Sequence, residues 1–578
     1  MKKLLLVNLF SLFLLNITIN AQTINWRWAK KLVYGDIINS NNRAIRFECI
    51  DNSGNVYISG VSLSSGTVTA DATTIPSPSG KKGLFIAKFD STGVLIWEKH
   101  GFCTNSSATD PMGVNGICTD NNGNLYISYH FTDTLKYDGT NIIEPHSDNY
   151  SSLNYLSLNA NSGALNFNKQ LESDIANSGS LPQNKIITTR NVLMDVNTTN
   201  ELVFVYTISA NFIDSLSIRK FDNTGAQTLR KLYDCPNANL NYKRLSVKGP
   251  NIVISAQTLN TFSIGTYTLS TPLGQDFIAR FDNSGNINWT AQGKSKDYFQ
   301  SNIFYGIHED TNGDIYFTGG YYDSLKLTGA SQTYKSLGKT TTFADEFFYG
   351  KYDASGALIW YQQGWGERSN WGNSIKIGAD NNLYVMGNIN KKLFRLGGDS
   401  VIAEASGNTD AGIIAQINKT NGSVQWIRRI NNVGGLTEPG DEARQINLFF
   451  DALNNIYYSA SFANFGTTVG GVAMTSTQGN CFFAKSGEKA IPNNPTGIKE
   501  SEKTAFLIFP NPTNAEITIH ATGKVTKATI MNQIGEKVFE VILNENTPSI
   551  NIEHLTKGIY FLEIKTEYGT SVQKLLKQ

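Results

Sequence analysis

The chain has 578 residues, more than the roughly 250 to 300 at which a single hydrophobic core stops growing unless it is built from repeats. Its net charge is +1 and only 17% of its residues are charged, which argues against nucleic acid or an anionic membrane as a partner. Many Gly (51), Tyr (25) and Phe (31) against 14 Pro favour short strands joined by tight turns, and predict an all-β protein.

The segment 1–21 has the three parts of an export signal. Two lysines precede a mostly apolar run, Leu4–Leu15, and a short polar stretch ends at Ala21. A membrane anchor needs about 18 to 20 apolar residues, and Asn16 interrupts this run too early. We therefore expect a signal peptide cleaved after Ala21 and a mature protein without a transmembrane segment.

After this signal the chain repeats two elements. The first is a turn of the type Asp-x-x-Gly leading into a strand that alternates aromatic and aliphatic residues. Five clear copies and two weaker ones make seven: Asp51–Gly60, Asp120–Ser128, Asp310–Gly319, Asp380–Gly387, Asp451–Ser459, and the weaker Asn200–Tyr206 and Gly249–Ser255. Glycine supplies the positive φ that such turns require.

The second element is a hairpin that closes on tryptophan. Its clear copies are Phe85–Trp97, Phe277–Trp289, Tyr349–Trp360 and Ile413–Trp426, with degenerate copies around Gly163 and Gly225. The two elements alternate about every 60 to 75 residues, a spacing that suits a four-stranded unit with long loops.

The two ends of the array favour a closed ring over an open stack. The last copy reaches Cys481–Lys485 and lacks its Trp strand, whereas the mature chain opens with Ile24–Trp28, which is similar to Ile287–Trp289. A ring closes when the first strand completes the last unit. We therefore expect residues 22–488 to form a seven-bladed β-propeller closed by its N-terminal strand.

These residues resemble the bacterial β-propeller repeat (SBBP-like) family. The resemblance rests on the phrase Phe-Ile-Ala-Lys-Phe-Asp-x-x-Gly-x-x-x-Trp, followed later by Asp-x-x-Gly-Asn-x-Tyr, and covers about residues 22–488. It implies a fold but no single activity.

A polar, Pro-containing linker is predicted over 489–503. Alternating strands follow in 504–578, including Glu516–His520 and Gly558–Lys565, and indicate a small immunoglobulin-like β-sandwich.

The order of motifs in this last segment resembles the type IX secretion C-terminal sorting domain. The residues that carry the resemblance are Phe509, Pro510, Asn511, Pro512, Gly535, Gly558, Tyr560 and Lys574. It implies a sorting signal, recognition by the type IX secretion machinery, passage through the periplasm, and release or attachment at the outer cell surface.

Local motifs give no catalytic, metal or cofactor site. The run Asp310–Asp314 is similar to a calcium loop, but the position of its bidentate Glu is Tyr321, which favours a hairpin turn. The Trp hairpins are similar to the docking motif of pyrroloquinoline quinone dehydrogenases, but one residue is missing between Asp90 and Gly93, which favours packing between blades. Six His residues show no metal-ligand spacing.

Five Cys is an odd number, so they cannot all pair within the chain. Cys49 and Cys118 occupy the same place in two repeats, which predicts buried strand positions. Cys103 and Cys118 are the only two close enough in sequence to suggest a disulfide.

Two functions fit these observations. The first is a non-catalytic binding or adhesion protein whose propeller face takes an extracellular glycan or protein. The alternative is an exported polysaccharide-acting enzyme with acidic or His side chains converging at the central opening, for which Asp345, Glu346 and Glu367 are candidates.

Overall fold

In the computed structural model the chain divides into two compact units, Met1–Ile491 and Pro492–Gln578, and the division falls within the predicted linker. The described residues are 26–34, 45–62, 68–70, 73–75, 83–103, 112–131, 135–138, 141–143, 152–171, 186–187, 192–210, 213–236, 238, 240–258, 260–269, 275–295, 302–331, 333–335, 345–366, 369–390, 393–402, 410–430, 447–462, 467–469, 472–474, 480–486, 506–521, 524–533, 536–566 and 569–578. The predicted signal peptide (1–21), the predicted linker (489–503) and Gly535 lie outside them.

The described residues form β-strands and no helices, as the composition predicts. Those of the larger unit are β1 (Trp26–Tyr34), β2 (Ile45–Ile50), β3 (Val56–Ser62), β4 (Val68–Ala70), β5 (Thr73–Ile75), β6 (Gly83–Phe89), β7 (Leu95–Cys103), β8 (Met112–Thr119), β9 (Asn124–Phe131), β10 (Leu135–Tyr137), β11 (Asn141–Ile143), β12 (Ser152–Asn159), β13 (Leu165–Gln170), β14 (Ile186–Ile187), β15 (Leu193–Val196), β16 (Leu202–Ala210), β17 (Ile213–Phe221), β18 (Gln227–Asp234), β19 (Asn241–Ser246), β20 (Ile252–Thr258), β21 (Phe262–Ile264), β22 (Tyr267–Leu269), β23 (Gln275–Phe281), β24 (Ile287–Ser295), β25 (Asn302–Glu309), β26 (Ile315–Tyr322), β27 (Ser324–Leu327), β28 (Tyr334–Lys335), β29 (Asp345–Tyr352), β30 (Leu358–Gly366), β31 (Asn370–Ile377), β32 (Leu383–Asn390), β33 (Leu393–Leu396), β34 (Asp399–Ile402), β35 (Asp410–Ile417), β36 (Val424–Arg429), β37 (Asn447–Phe450), β38 (Ile456–Phe462), β39 (Thr467–Val469), β40 (Val472–Met474) and β41 (Asn480–Ser486).

The sequence repeat corresponds to a four-stranded antiparallel sheet. In the order of their pairing these sheets are β2-β3-β6-β7, β8-β9-β12-β13, β15-β16-β17-β18, β19-β20-β23-β24, β25-β26-β29-β30, β31-β32-β35-β36 and β37-β38-β41-β1. We call the first strand of each sheet innermost and the fourth outermost. The second and third strands are buried over most of their length, which explains their continuous aromatic and aliphatic sequence.

The Asp-x-x-Gly turn joins the first strand of each sheet to the second. Asp51 shows why the motif recurs, because its Oδ1 accepts the backbone N–H groups of Ser53 and Asn55, each at 2.9 Å. Its Oδ2 accepts the hydroxyl of Tyr57 at 3.0 Å, and Gly54 takes the positive φ of 79°. In the weaker copy Asn200–Tyr206 the turn begins earlier than the sequence suggests. There the Oδ1 of Asn197 accepts the N–H groups of Thr199 and Glu201.

Short hairpins extend several sheets in a way that the sequence did not reveal. The hairpin between the second and third strands of one repeat pairs with the outer strand of the preceding sheet. In this manner β4 pairs with β1, β10 with β7, β27 with β24, and β33 with β30. Each such hairpin covers an outer edge that would otherwise present unpaired backbone groups.

The N-terminal strand lies in the last repeat sheet, where the ends of the array predict it. β1 pairs antiparallel with β41, with Lys31 opposite Phe482 and Leu32 opposite Cys481. On its other side β1 pairs with β4 of the first repeat, with Leu32 opposite Ala70.

The innermost strands also contact one another in chain order. β2 contacts β8, and the contacts continue through β15, β19, β25, β31 and β37, which in turn contacts β2. One edge of every repeat sheet therefore lies beside the corresponding edge of the next.

The smaller unit has its own strands and apolar core. Its strands are β42 (Phe506–Phe509), β43 (Glu516–Ala521), β44 (Val525–Met531), β45 (Lys537–Glu545), β46 (Ser549–Asn551), β47 (Gly558–Thr566) and β48 (Gly569–Lys577). They form a three-stranded sheet, β42-β43-β46, and a four-stranded sheet, β45-β44-β47-β48. Aliphatic residues such as Ile517, Ile530 and Leu562 fill the core.

Candidate functional site

The Phe-Pro-Asn-Pro motif binds the end of the chain. Asn511 carries this contact, because its Nδ2 donates to the carbonyl of Lys574 at 2.8 Å and its Oδ1 accepts the N–H of Leu576 at 2.9 Å. Two residues later, the N–H of Thr513 donates to the carbonyl of Leu576 at 2.9 Å. The first motif of this segment and its last strand therefore form a single structural element.

The prolines on either side of Asn511 are exposed, and so is part of the aromatic ring before them. Phe509 is 48% exposed and its ring lies 5.1 Å from that of His520. Pro510 and Pro512 stand at the surface, where they have no backbone N–H to leave unpaired.

The remaining predicted sorting residues lie on the two strands that end the chain. In the β47–β48 pair, Gly558 is opposite Lys577 and Tyr560 is opposite Leu575. Tyr560 is buried and donates its hydroxyl to the carbonyl of Thr556 at 2.9 Å. Lys574 has an exposed side chain. The structure thus gathers the predicted residues around β48, except Gly535, which is outside the described part.

The sequence analysis did not predict a group of exposed apolar side chains on the four-stranded sheet of the smaller unit. Ile542 is 84% exposed, and Val538, Phe561 and Val572 are also exposed. On β45, Val538 and Ile542 alternate with less exposed residues. This period of two is the sequence signal that could have revealed them.

In the larger unit, the tryptophans of the hairpin element contact the next repeat. Trp97 Nε1 donates to the carbonyl of Ala160 at 3.3 Å, and Trp289 Nε1 donates to that of Ala354 at 3.1 Å. Trp360 does the same to Lys419 at 3.1 Å. Trp426 is buried beside Tyr384. These side chains are used in packing, as the sequence favours.

The calcium-like run has the geometry of the other hairpin turns. Asp310 Oδ1 accepts the N–H groups of Asn312 and Asp314 at 2.9 and 3.0 Å. Its Oδ2 accepts the hydroxyl of Tyr316, and burial together with this carboxylate raises the pKa of Tyr316. Among the described residues no group of three or more His, Cys, Asp or Glu is placed to hold a metal ion.

The acidic candidates lie at the start of a third strand rather than on an innermost one. Glu346 is fully buried on β29, opposite Tyr321 of β26. Asp345 is opposite Tyr322, and its N–H donates to Ser369 Oγ at 3.2 Å. Glu367 lies outside the described residues.

The innermost strands carry ionisable side chains that sequence reasoning did not single out. Asp195, His308 and Lys376 are each the partner of an equivalent second-strand residue, Val203, Tyr316 and Tyr384 respectively, and so lie at one level. The equivalent residues of the first two sheets are Cys49 and Cys118. The sequence signal is therefore a change from a small neutral residue to an ionisable one at an equivalent position of the repeat.

The cysteines behave as the repeat predicts. Cys49 and Cys118 are buried free thiols, and so is Cys235. The Cys103–Cys118 disulfide that their spacing suggested is therefore not formed. Burial, and next the charge of Asp195, raises the pKa of Cys118 well above its ordinary value, which keeps this thiol protonated and unreactive.

Comparison with known families identifies the end of the chain. Residues 507–578 match the family described as the secretion system C-terminal sorting domain. The protein is therefore exported to the cell surface or the extracellular space, and the type IX secretion machinery handles it. No curated protein matches the chain. In the described residues no helix is long and apolar enough to span a membrane.

Solved structures offer only distant likenesses. The polysaccharide lyase Uly1 is 11% identical, with 82% of this chain and 94% of that chain covered and a TM-score of 0.40. A quinohemoprotein alcohol dehydrogenase from Comamonas testosteroni is 10% identical, with coverage of 81% and 77% and a TM-score of 0.34. PorZ, a surface component of the type IX secretion system of Porphyromonas gingivalis, is 10% identical, with coverage of 94% and 100% and a TM-score of 0.14. None of these likenesses assigns an activity to this chain.

Proposed function

We propose that this exported protein is a non-catalytic binding or adhesion protein. In this proposal residues 22–488 form a seven-bladed β-propeller closed by the N-terminal strand, and residues 504–578 form an immunoglobulin-like sandwich that carries the sorting signal. The propeller presents its loops to an extracellular glycan or protein.

The cyclic order of contacts among the innermost strands supports the ring. β37 of the last sheet contacts β2 of the first, and β1 belongs to the last sheet although it begins the described chain. Each blade would then expose only loops and outer edges, and the outer edges are partly covered by the added hairpins.

One observation carries the choice of binding over catalysis: the repeat's own chemistry is used for packing. The Asp of each clear turn accepts backbone N–H groups, and three of the hairpin tryptophans bind carbonyls of the next repeat. Glu346 is buried within its sheet. Of the acidic candidates for acid–base work, Glu346 is thereby removed from solvent.

Binding can be tested with the full mature chain on a glycan array and on intact cells. We expect saturable binding to at least one class of extracellular glycan or surface protein. A complete absence of ligands for the folded chain would contradict the proposal.

The sorting signal can be tested by export. Deleting residues 507–578 is expected to retain the protein inside the cell, and Asn511→Ala to lower the exported fraction because the motif loses its bonds to Lys574 and Leu576. Asn544→Ala, an exposed residue of β45, is the matched control. Export of the Asn511 variant at the wild-type level would show that this clamp is not part of the signal.

A second candidate, an exported enzyme acting on polysaccharide, is favoured by the innermost strands, where Asp195 and His308 lie at one level. Polysaccharide depolymerisation by the full chain, abolished in both Asp195→Asn and His308→Ala, would support it. Binding without product formation would favour the first proposal.

A further inference from the structure

Five innermost strands carry chemically distinctive residues at the same level, which we call the inner belt: Cys49, Cys118, Asp195, His308 and Lys376. The strands that bear them contact one another around the larger unit. The first two members are buried free thiols, so the chemistry of the belt is concentrated on the other three.

Lys376 has no hydrogen bond or ion pair with any residue in the described parts of the chain. Its side chain is half-buried. Burial is the main cause that lowers its pKa to about 8; the charge of Asp195 opposes this shift, and the charges of Lys248 and Arg244 add to it. A half-buried ammonium group among like charges is costly unless an anion approaches it.

His308 is the neighbour of Lys376 on the adjacent innermost strand. It is only 8% exposed, and its Nδ1 makes no hydrogen bond with the described residues. Burial, followed by the charges of Lys376 and Lys248, lowers its pKa well below the ordinary value, so the ring is neutral at pH 7. A neutral imidazole carries one N–H, which can donate without adding charge.

The one carboxylate of the belt is already neutralised. Lys248 Nζ lies 2.7 Å from Asp195 Oδ1 and also donates to the carbonyl of Val196 at 2.7 Å. Arg244 packs its guanidinium 4.8 Å from the ring centre of Tyr305. With Asp195 offset by Lys248, the charge of Lys376 leaves this part of the belt positive.

We propose that the inner belt is an oxyanion-binding site, in which Lys376 and His308 donate hydrogen bonds to a carboxylate, sulfate or phosphate group. Among the described residues the two donors have no hydrogen-bond partner, and the one acid of the belt, Asp195, is paired with Lys248. A metal cation would meet repulsion instead. The site lies on the innermost strands and goes beyond the proposed adhesion to a glycan or protein, which can fail without affecting it.

Titration calorimetry on the full mature chain tests the site directly. At pH 7 and constant ionic strength, separate titrations with sodium sulfate, phosphate and acetate identify which oxyanion binds. We expect saturable binding of at least one of them and an affinity at least tenfold weaker in Lys376→Gln. Lys326→Gln is the matched control, since Lys326 is an exposed lysine that bonds only the carbonyl of Ala330 in the described structure. Equal affinity in Lys376→Gln and wild type would overturn the proposal.

Amine labelling supplies a readout that a purely structural lysine would not give. At pH 8 about half of the Lys376 amine is unprotonated, against about 0.3% of a lysine with the ordinary pKa near 10.5. Acetic anhydride is expected to modify Lys376 before Lys326, and the anion that binds in calorimetry is expected to protect it. His308→Ala should weaken that protection several-fold while Lys376 stays reactive. Labelling of Lys376 that no oxyanion reduces would overturn the proposal.

Discussion

The junction between the last and first repeats can be compared with a junction inside the array. Inside, Trp97 and Lys88 both donate to the carbonyl of Ala160, at 3.3 and 3.1 Å. At the closure, Trp28 and Lys485 both donate to the carbonyl of Ser91, at 3.1 and 3.2 Å. Residues from opposite ends of the chain thus reproduce an interface that elsewhere joins neighbours in sequence. The junction between the last and first repeats, which we call the closure, therefore uses the same kind of contacts as an internal junction, with β1 supplying the Trp.

The largest effect is expected when the closing strand is removed. Deleting residues 22–34 takes away β1 and leaves the edges of β41 and β4 unpaired. We expect an aggregating protein without a cooperative thermal transition, measured by circular dichroism and light scattering. Deleting residues 22–25 alone is the control, because β1 remains. A sharp transition in the longer deletion would show that the closure is dispensable.

A buried ion pair distinguishes one internal junction from the closure. Arg280 Nε lies 3.1 Å from Glu309 Oε1, across the junction to the next repeat, and Glu309 is fully buried. At the closure, Lys485 instead lies 3.6 Å from Asp451 of its own sheet. Arg280→Met is expected to lower the free energy of unfolding by about 3 kcal/mol, since a carboxylate stays buried without its cation. Lys485→Met should cost about 1 kcal/mol, because the 3.6 Å separation makes its pair with Asp451 the weaker one.

Chemical denaturation measures both variants. Combining Arg280→Met with Glu309→Gln should recover part of the loss, because no charge is then left buried. Equal costs for Arg280→Met and Lys485→Met would remove this difference between the junctions.

Substituting the equivalent tryptophans tests whether the two junctions are alike. Trp28→Ala and Trp97→Ala should each cost about 2 kcal/mol, below the usual cost for a fully buried Trp because both are half-buried. Ile96→Ala, on the same strand as Trp97 but 51% exposed, should change stability by less than about 0.5 kcal/mol. Urea denaturation gives all three values. A Trp28 cost well outside that of Trp97 would mean that the closure has its own energetics.

The smallest expected effect is a sensitivity to acid that arises within one repeat sheet, β15-β16-β17-β18, rather than at a junction, because Glu201 accepts hydrogen bonds from its own sheet. Burial alone would raise the pKa of Glu201, but hydrogen bonds from Lys220, Asn197 and Thr228 lower it to about 2. Its stabilisation is therefore complete above the unfolded pKa near 4.5 and disappears as the pH falls towards 2.

Glu201→Gln should consequently lose about 1 to 2 kcal/mol less than wild type between pH 5 and pH 2.5. Thermal unfolding across this range measures the effect, with Glu516→Gln, an exposed residue of the smaller unit, as control. Parallel pH profiles for wild type and Glu201→Gln would contradict the assignment.

Regular features of the sequence predicted much of this architecture. The Asp-x-x-Gly turns, the buried positions of Cys49 and Cys118, and the pairing of β1 with the strand around Phe482 were all readable, because each copy supports the others. The added hairpins were not, since strands of two to four residues carry too little pattern.

The candidate sites divide in the same way. Asn511 and Tyr560 could be named from a contiguous motif, although their contacts with the last strand could not be read from it. Asp195, His308 and Lys376 lie far apart in sequence and meet only through contacts between innermost strands. The sequence signal for them is that each is an ionisable residue at the position that Cys49 and Cys118 occupy in the first two repeats.

The position of β1 between β41 and β4 also governs the order in which the protein can assemble. One neighbour of the first strand, β4, follows soon after it, but the other, β41, ends at Ser486. A chain emerging from its N-terminus therefore cannot complete the pairing of its opening strand until nearly the whole repeat array has followed. The pairing of β1 with β41 is therefore a late folding step between distant parts of the chain, and the larger unit stays incompletely folded until it occurs.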